Sequence, residues 1–199
     1  RAVLYPVYQG TFERGDPRLA GLDAGEPSHR YTEWLVQVMK DLRRSIDYLE
    51  TRSDIDHTRI AYYGMSWGGY LGAIAPAVED RIRVSILVSG GLSPEAVRPE
   101  ADPINYLPRV RVPTLMINGR YDTIFPVNHS IRPMFDRLGA PPEDKRLALF
   151  DTDHIPPRNE LIREALDWLD RYFGPVAPRA AHETRTVRPS PRPGAQRVE

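Results

Sequence analysis

Short apolar runs rich in β-branched and aromatic residues alternate along the chain with longer stretches in which apolar positions recur every three or four residues. The short runs lie near residues 2–8, 59–63, 83–88, 112–118 and 145–150, and each is expected to form a strand. Their apolar character is continuous rather than alternating, which predicts a mostly parallel sheet covered on both faces. Between the first two runs, Trp34, Leu35, Val38, Leu42, Ile46 and Leu49 mark one face of an amphipathic helix over 31–52. Further helices are expected from Ser66 to about residue 78, over roughly 127–138, and over 159–173. In the last, Leu161, Ile162, Ala165, Leu166, Leu169 and Phe173 form the inward stripe. Strand and helix repeated in this order predict a three-layer, doubly wound α/β domain.

Composition narrows the field of functions. The chain has 199 residues, enough for one well-buried domain. It is 41% hydrophobic, and its 27 Lys and Arg residues balance 27 Asp and Glu, which argues against a basic groove for nucleic acid. Cysteine is absent, which excludes disulfides, zinc–thiolate sites and thiol catalysis. No run approaches the roughly 18 apolar residues of a membrane span, and no signal peptide opens the chain, so a soluble, cytoplasmic domain is the expectation. The first residue is Arg1, and "AVLYPVY" follows at once, so the sequence reads as a piece of a longer chain. The stretch "GPVAPRAAHETRTVRPSPRPGAQRVE" is rich in Pro and Arg and lacks apolar periodicity. The domain is therefore expected to span 1–173, with 174–199 a disordered tail that buries too little surface to offset its ordering entropy.

Candidate chemistry centres on "RIAYYGMSWGGYLGAIAP", residues 59–76, where Gly64-Met65-Ser66-Trp67-Gly68 matches G-x-S-x-G. Such a match arises by chance about once in fifteen chains of this length, so its context matters more than the pattern. It falls at a strand end and opens a helix, where a sharp turn lifts a serine hydroxyl clear of the sheet and needs small neighbours. Gly64 and Gly68 are expected to supply that clearance, and the Trp67 N–H to bind a developing oxyanion. A serine hydroxyl is a weak nucleophile at neutral pH and needs a base that a third group orients. "PTLMINGRYDTIFP" offers Asp122, and "RLALFDTDHIPP" offers His154, both in loops after later strands, at the sheet edge where open α/β sheets carry their sites. His29 and His57 precede the serine, His129 falls in an expected helix and His182 in the tail. Asp151 and Asp153 flank His154 too closely in sequence to orient its ring, and Asp56 reads as a turn residue with Arg59 as ion partner. No His, Asp or Glu cluster has metal-ligand spacing, so neither metal nor organic cofactor is expected.

"GMSWGG", "INGRYDTIFP" and "FDTDHIPP" together resemble the elbow, acid loop and histidine loop of the α/β-hydrolase fold, in its prolyl-oligopeptidase and dienelactone-hydrolase-like branches. "AVLYPVYQGTFERGD" is similar to the fourth strand and following loop of such domains, in particular of hydrolase domains that end long bacterial chains with an N-terminal serine/threonine kinase. The resemblance covers residues 1 to about 173 and implies a serine hydrolase of carboxylesterase type acting on small-molecule, short-chain esters through Ser66, His154 and Asp122. A prolyl-oligopeptidase-like peptidase and a weakly active sensory or binding module are its alternatives. The first three strands of the fold, with the second oxyanion donor, have no counterpart here. Either an upstream segment, a kinase-containing chain or self-association completes the sheet, or strand 2–8 moves beside strand 59–63, and the backbone near Gln9 to Thr11 supplies the donor. Only about two dozen residues separate the strands ending near Val88 and starting near Val112, so a large lid is not expected. Trp67, Tyr8 and residues around Leu92 are the candidate walls of an open cleft.

Overall fold

The computed structural model describes residues 1–17, 27–95 and 97–176. The first apolar stripe decides where the sheet is covered. Tyr31, Leu35, Val38, Met39, Leu42 and Ile46 are all buried along one side of α1 (His29–Glu50), and each contributes roughly 1.5–3 kcal/mol relative to exposure. The helix is entered through Ser28, whose Oγ accepts a hydrogen bond from Tyr31 N at 3.1 Å and satisfies one of the free donors of the first turn.

Four parallel strands, β1 (Ile60–Met65), β2 (Ile82–Val88), β3 (Thr114–Gly119) and β4 (Lys145–Phe150), pair in the order β1-β2-β3-β4. Every residue of β3 is buried and all but one of β2, as their continuous apolar runs require of strands covered on both faces. On one face, Ile60, Tyr62, Leu87 and Met116 meet α1, Tyr70 and Leu71 of α2 (Trp67–Leu71), and Met134 of α4 (Arg132–Arg137). On the other, Val84, Ile86, Val88, Leu115 and Ile117 pack on Ala165 and Trp168 of α5 (Arg158–Phe173). The result is the expected three-layer α/β arrangement, and it delivers the C-terminal ends of all four strands to one edge.

The segment 2–8 departs from expectation. It is not a strand: residues 1–8 carry no sheet pairing, Val3 and Tyr5 are exposed, and β1 pairs only with β2 among the described residues. An apolar run supplies side chains for a sheet, but pairing is decided by which edge it reaches, and this run reaches none. Tyr63 and Met65 on β1 are accordingly half-exposed.

The helix expected from 66 to 78 is two short ones, α2 and α3 (Ala75–Val78). Gly68, Gly69 and Gly72 weaken it, and Pro76 lies in the first turn of α3, where its missing N–H costs nothing. The helix expected over 127–138 begins as a wide turn in which His129, Ser130 and Ile131 N–H groups all reach the Pro126 carbonyl, and it becomes α-helical only at Arg132. Pro133 withholds the N–H that regular pairing would need there. The stretch between β2 and β3 contains two single-turn 3-10 helices, Pro103–Asn105 and Leu107–Arg109, rather than a helical lid. Of the expected tail, all but residues 174–176 lies outside the described residues.

Candidate active site

Ser66 occupies the one residue between β1 and α2 and has φ 54° and ψ −110°. That conformation costs a non-glycine residue on the order of 1–3 kcal/mol and persists only where the surroundings over-determine it. Here they do. Ser66 N donates to Val88 O at 2.8 Å, and Ser66 O accepts from Tyr70 N at 2.9 Å, so the turn is tied to the sheet and to its own helix. The two motif glycines contribute unequally. A β-carbon at Gly64 would lie 2.2 Å from the Gly68 carbonyl oxygen, whereas one at Gly68 would meet nothing nearer than the Tyr62 hydroxyl at 3.9 Å. The clearance expected of both is therefore needed at Gly64 alone. Gly68 serves through its carbonyl, which accepts from the Tyr62 hydroxyl at 2.6 Å.

The loop after β3 brings Asp122 under the loop after β4. Asp122 is buried; its Oδ1 accepts from Ile124 N at 2.8 Å and Phe125 N at 2.9 Å, which fixes the carboxylate plane. Its Oδ2 lies 2.8 Å from His154 Nδ1, and His154 Nε2 lies 2.9 Å from Ser66 Oγ. A proton on Nδ1 donates to the carboxylate and leaves the Nε2 lone pair facing the serine hydroxyl, the tautomer that general-base work requires. The Phe125 ring tilts across the imidazole at 6.0 Å between centroids.

The competing acids and histidines are engaged elsewhere. Asp151 pairs with Arg120 at 2.7 Å, Asp153 accepts from Ile155 N, and Asp56 pairs with Arg59 as the sequence suggested. His57 Nε2 bonds to Arg52 O, His29 begins α1, His129 sits in the wide turn before α4, and His182 lies outside the described residues. Among the described residues, no group of three or more His, Asp or Glu side chains is placed to hold a metal ion, and no helix is long and apolar enough to cross a membrane.

Trp67 takes the first helical position of α2, where its N–H has no intrahelical acceptor. The proposed second donor does not materialise. Gln9 N is bound to Asp41 Oδ2 at 2.9 Å, Gly10 N to Arg14 O at 2.9 Å and Thr11 N to Tyr8 O at 3.0 Å, so none of these amides is free for an oxyanion.

The same segment packs against the side chain that follows Ser66. The Trp67 indole stacks on Trp34 at 5.2 Å and 19° and meets the edge of Tyr8 at 6.3 Å, while Trp34 Nε1 donates to Gln9 O at 2.9 Å. Burial, reinforced by the Asp41 carboxylate, pushes the Tyr8 phenol up to about 12. Leu92 packs half-buried on the core, its carbonyl accepting from Ser130 Oγ at 2.6 Å. Periodicity assigned Trp34 to the core stripe of α1 and missed its place against Trp67. Asn118 and Gly119 were also missed, although a glycine closing a buried strand is itself a signal of close backbone approach.

Solved structures of the same shape include an acetyl xylan esterase from Paenibacillus (TM-score 0.64, 20% identity, covering 83% of this chain and 64% of that one). A cold-adapted esterase from an Arctic intertidal metagenomic library is similar at TM-score 0.56 and 18% identity, covering 73% of this chain and 65% of that one. An acylaminoacyl peptidase matches at TM-score 0.57 and 19% identity over 73% of this chain and 29% of its own. The chain thus spans less than two thirds of the length of either esterase. No curated relative matches it. The dienelactone hydrolase family matches residues 4–145, well over half the sequence, and the chain belongs to that family.

Proposed function

We propose that the chain is a cofactor-free serine hydrolase that cleaves carboxylic esters of short acyl chains. The observation that carries this reading is the unbroken hydrogen-bonded line from Asp122 Oδ2 through both nitrogens of His154 to Ser66 Oγ. Ser66 Oγ attacks the ester carbonyl as its proton passes to His154 Nε2, and the Trp67 N–H stabilises the oxyanion. His154 returns the proton to the departing alkoxide, which leaves as an alcohol. Water then attacks the acyl-enzyme, giving its proton to His154; the acid departs and Ser66 regains its hydrogen. Asp122 keeps the imidazole in register and balances the imidazolium.

A panel of p-nitrophenyl esters alongside aminoacyl nitroanilides tests the reading. Ester turnover with a short-acyl preference is expected; hydrolysis of anilides alone would transfer the assignment to a peptidase like the acylaminoacyl peptidase that shares the shape.

A second reading has one specific observation in its favour. With the amides of Gln9, Gly10 and Thr11 all engaged, the Trp67 N–H is the single oxyanion donor assigned, and removal of one such donor costs about 10²–10³ in kcat in a well-studied serine protease. On that reading the domain is a slow hydrolase-like sensory module of a larger kinase-containing chain. Fluorophosphonate labelling separates the two: rapid, stoichiometric labelling of Ser66 supports the esterase, and an unlabelled serine supports the module.

A further inference from the structure

The dipeptide Asn118-Gly119 closes β3, which pairs with β2 on one side and on the other with β4, the strand before the histidine loop, and each residue touches one of those two sides. Asn118 is completely buried, and its Nδ2 donates to Gly90 O at 2.9 Å, while its Oδ1 has no hydrogen-bond partner among the described residues. Gly90 in turn lies directly against Gly69 of α2, three residues beyond Ser66: a β-carbon on Gly90 would come within 2.7 Å of Gly69 Cα. The Asn118 amide therefore holds the loop against which the nucleophile's helix rests. The one hydrogen bond this buried amide makes goes to the Gly90 carbonyl, so an apolar side chain of similar shape would spare the cost of the orphaned oxygen and at the same time strip that carbonyl of its donor.

Gly119 faces the other side. A β-carbon there would lie 1.6 Å from the Asp153 carbonyl oxygen and 2.6 Å from that of Thr152, so the main chain of the histidine loop rests on the Gly119 Cα. Arg120 N to Phe150 O at 2.7 Å and Tyr121 N to Thr152 O at 2.9 Å fasten the acid loop to the same stretch.

We propose that Asn118 and Gly119 are positioning residues that together set the separation of Ser66 from His154, one from the serine side and one from the histidine side, without touching substrate. The inference rests on the hydrolase reading for its kinetic consequences but not for its structural ones. A side chain at Gly119 must push the histidine loop off β3 while Asp122, which follows three residues later on the same strand end, stays behind. The His154–Asp122 bond is then the first casualty. Loss of the Asn118 amide leaves that bond intact and instead releases Gly90, Gly69 and the turn that carries Ser66.

The test compares the full chain with its Gly119→Ala and Asn118→Leu variants by thermal melting, kcat and KM on p-nitrophenyl acetate, and the far-downfield Nδ1 proton resonance of His154. Gly119→Ala is expected to lose about 10²-fold or more in kcat with little change in KM, together with the downfield resonance. Asn118→Leu is expected to melt within a few degrees of the parent, to keep the resonance, and to lose kcat by about tenfold or more. If Gly119→Ala retains both kcat and the resonance, or if Asn118→Leu folds with unchanged kcat, the proposal is overturned; the second outcome decides the case even where Gly119→Ala does not fold. A parent chain that turns over no ester, yet whose downfield resonance vanishes in folded Gly119→Ala, would sink the esterase reading and leave the positioning role standing.

Discussion

The two sides of the proposed site, taken as the walls of its cleft, are built by different means. On the side of the sheet, Ser66, Asp122 and His154 sit on loops fastened by main-chain bonds: Ser66 N to Val88 O, Ser89 N to Ile117 O, Arg120 N to Phe150 O and Tyr121 N to Thr152 O, all between 2.7 and 2.9 Å. On the opposite side, residues 8–14 are held to α1 by side chains. Asp41 accepts from Gln9 N and from Arg14, and Trp34 reaches Gln9 O. Main-chain bonds in register leave little room for displacement, and a reacting group misplaced by about 1 Å costs on the order of 10² in rate. Side chains hinge on several torsions, which a wall that only shapes a cleft can tolerate. The sheet-side wall is therefore expected to govern kcat, and the α1-side wall to govern KM.

The comparison breaks at once if the sheet-side groups prove dispensable. Ser66→Ala and His154→Ala should each reduce turnover by on the order of 10⁴-fold or more, and the double variant should be little worse than either, since the groups act as a unit. Asp122→Asn should cost roughly 10⁴ by selecting the wrong tautomer, while Asp151→Asn and Asp153→Asn stay within about tenfold. Steady-state kinetics on one ester decides all six. An Asp153→Asn variant as damaged as Asp122→Asn is expected to be would move the acid assignment.

The motif's two glycines sharpen the same point within one turn. Gly64→Ala drives a β-carbon into the Gly68 carbonyl at 2.2 Å, so activity should fall about 10²-fold with a lowered melting temperature. Gly68→Ala meets only the Tyr62 hydroxyl, at an ordinary contact distance of 3.9 Å, and lies in a helix, so it should keep activity within a few-fold and add about 0.5–1 kcal/mol of stability. Equal damage from the two would mean that the elbow adopts a different turn.

The α1-side wall should answer differently. Asp41→Ala removes the acceptor for Gln9 N and the ion partner of Arg14, loosening residues 8–14. KM should rise about three- to tenfold, the scale of one or two hydrogen bonds at about 0.5–1.5 kcal/mol each, with kcat nearly unchanged. A fall in kcat alone would show that this wall also positions the reacting groups.

Elements whose information is local were legible in the sequence. The stripe from Leu35 to Ile46, the runs of β1 to β4, and Ser66, Asp122 and His154 after the ends of β1, β3 and β4 all follow from spacing and chain order. What escaped was non-local. The run 2–8 has strand composition yet pairs with no strand among the described residues, and the amides of Gln9 to Thr11 are consumed by Asp41, Arg14 and Tyr8, which no pattern reveals. Gly119 looks like an ordinary strand terminator until Asp153, more than thirty positions later, is found lying on it.

The smallest expected effect tests how closed the α1-side wall is. Burial against Trp67, with Asp41 and Tyr5 adding to it, raises the Tyr8 phenol from 10.0 to about 12. Below pH 10 the phenol is neutral in the folded and unfolded chain alike, and its full contribution to stability is present. Between about pH 10 and 12 the unfolded chain releases this proton while the folded chain retains it, so folding loses stability as pH rises, by roughly 2 kcal/mol at most. Tyr62, also raised by burial, adds a loss of the same sign, which is why the measurement must be a difference. Urea unfolding of the parent and of Tyr8→Phe should give parallel pH dependence up to about pH 9.5 and a shallower decline for Tyr8→Phe above it. Phenylalanine keeps the ring against Trp67, so ester turnover at neutral pH should change little. Identical declines in the two proteins would place the Tyr8 hydroxyl in water and this side of the cleft open to solvent, and the KM effect expected of Asp41→Ala would then lose its structural basis.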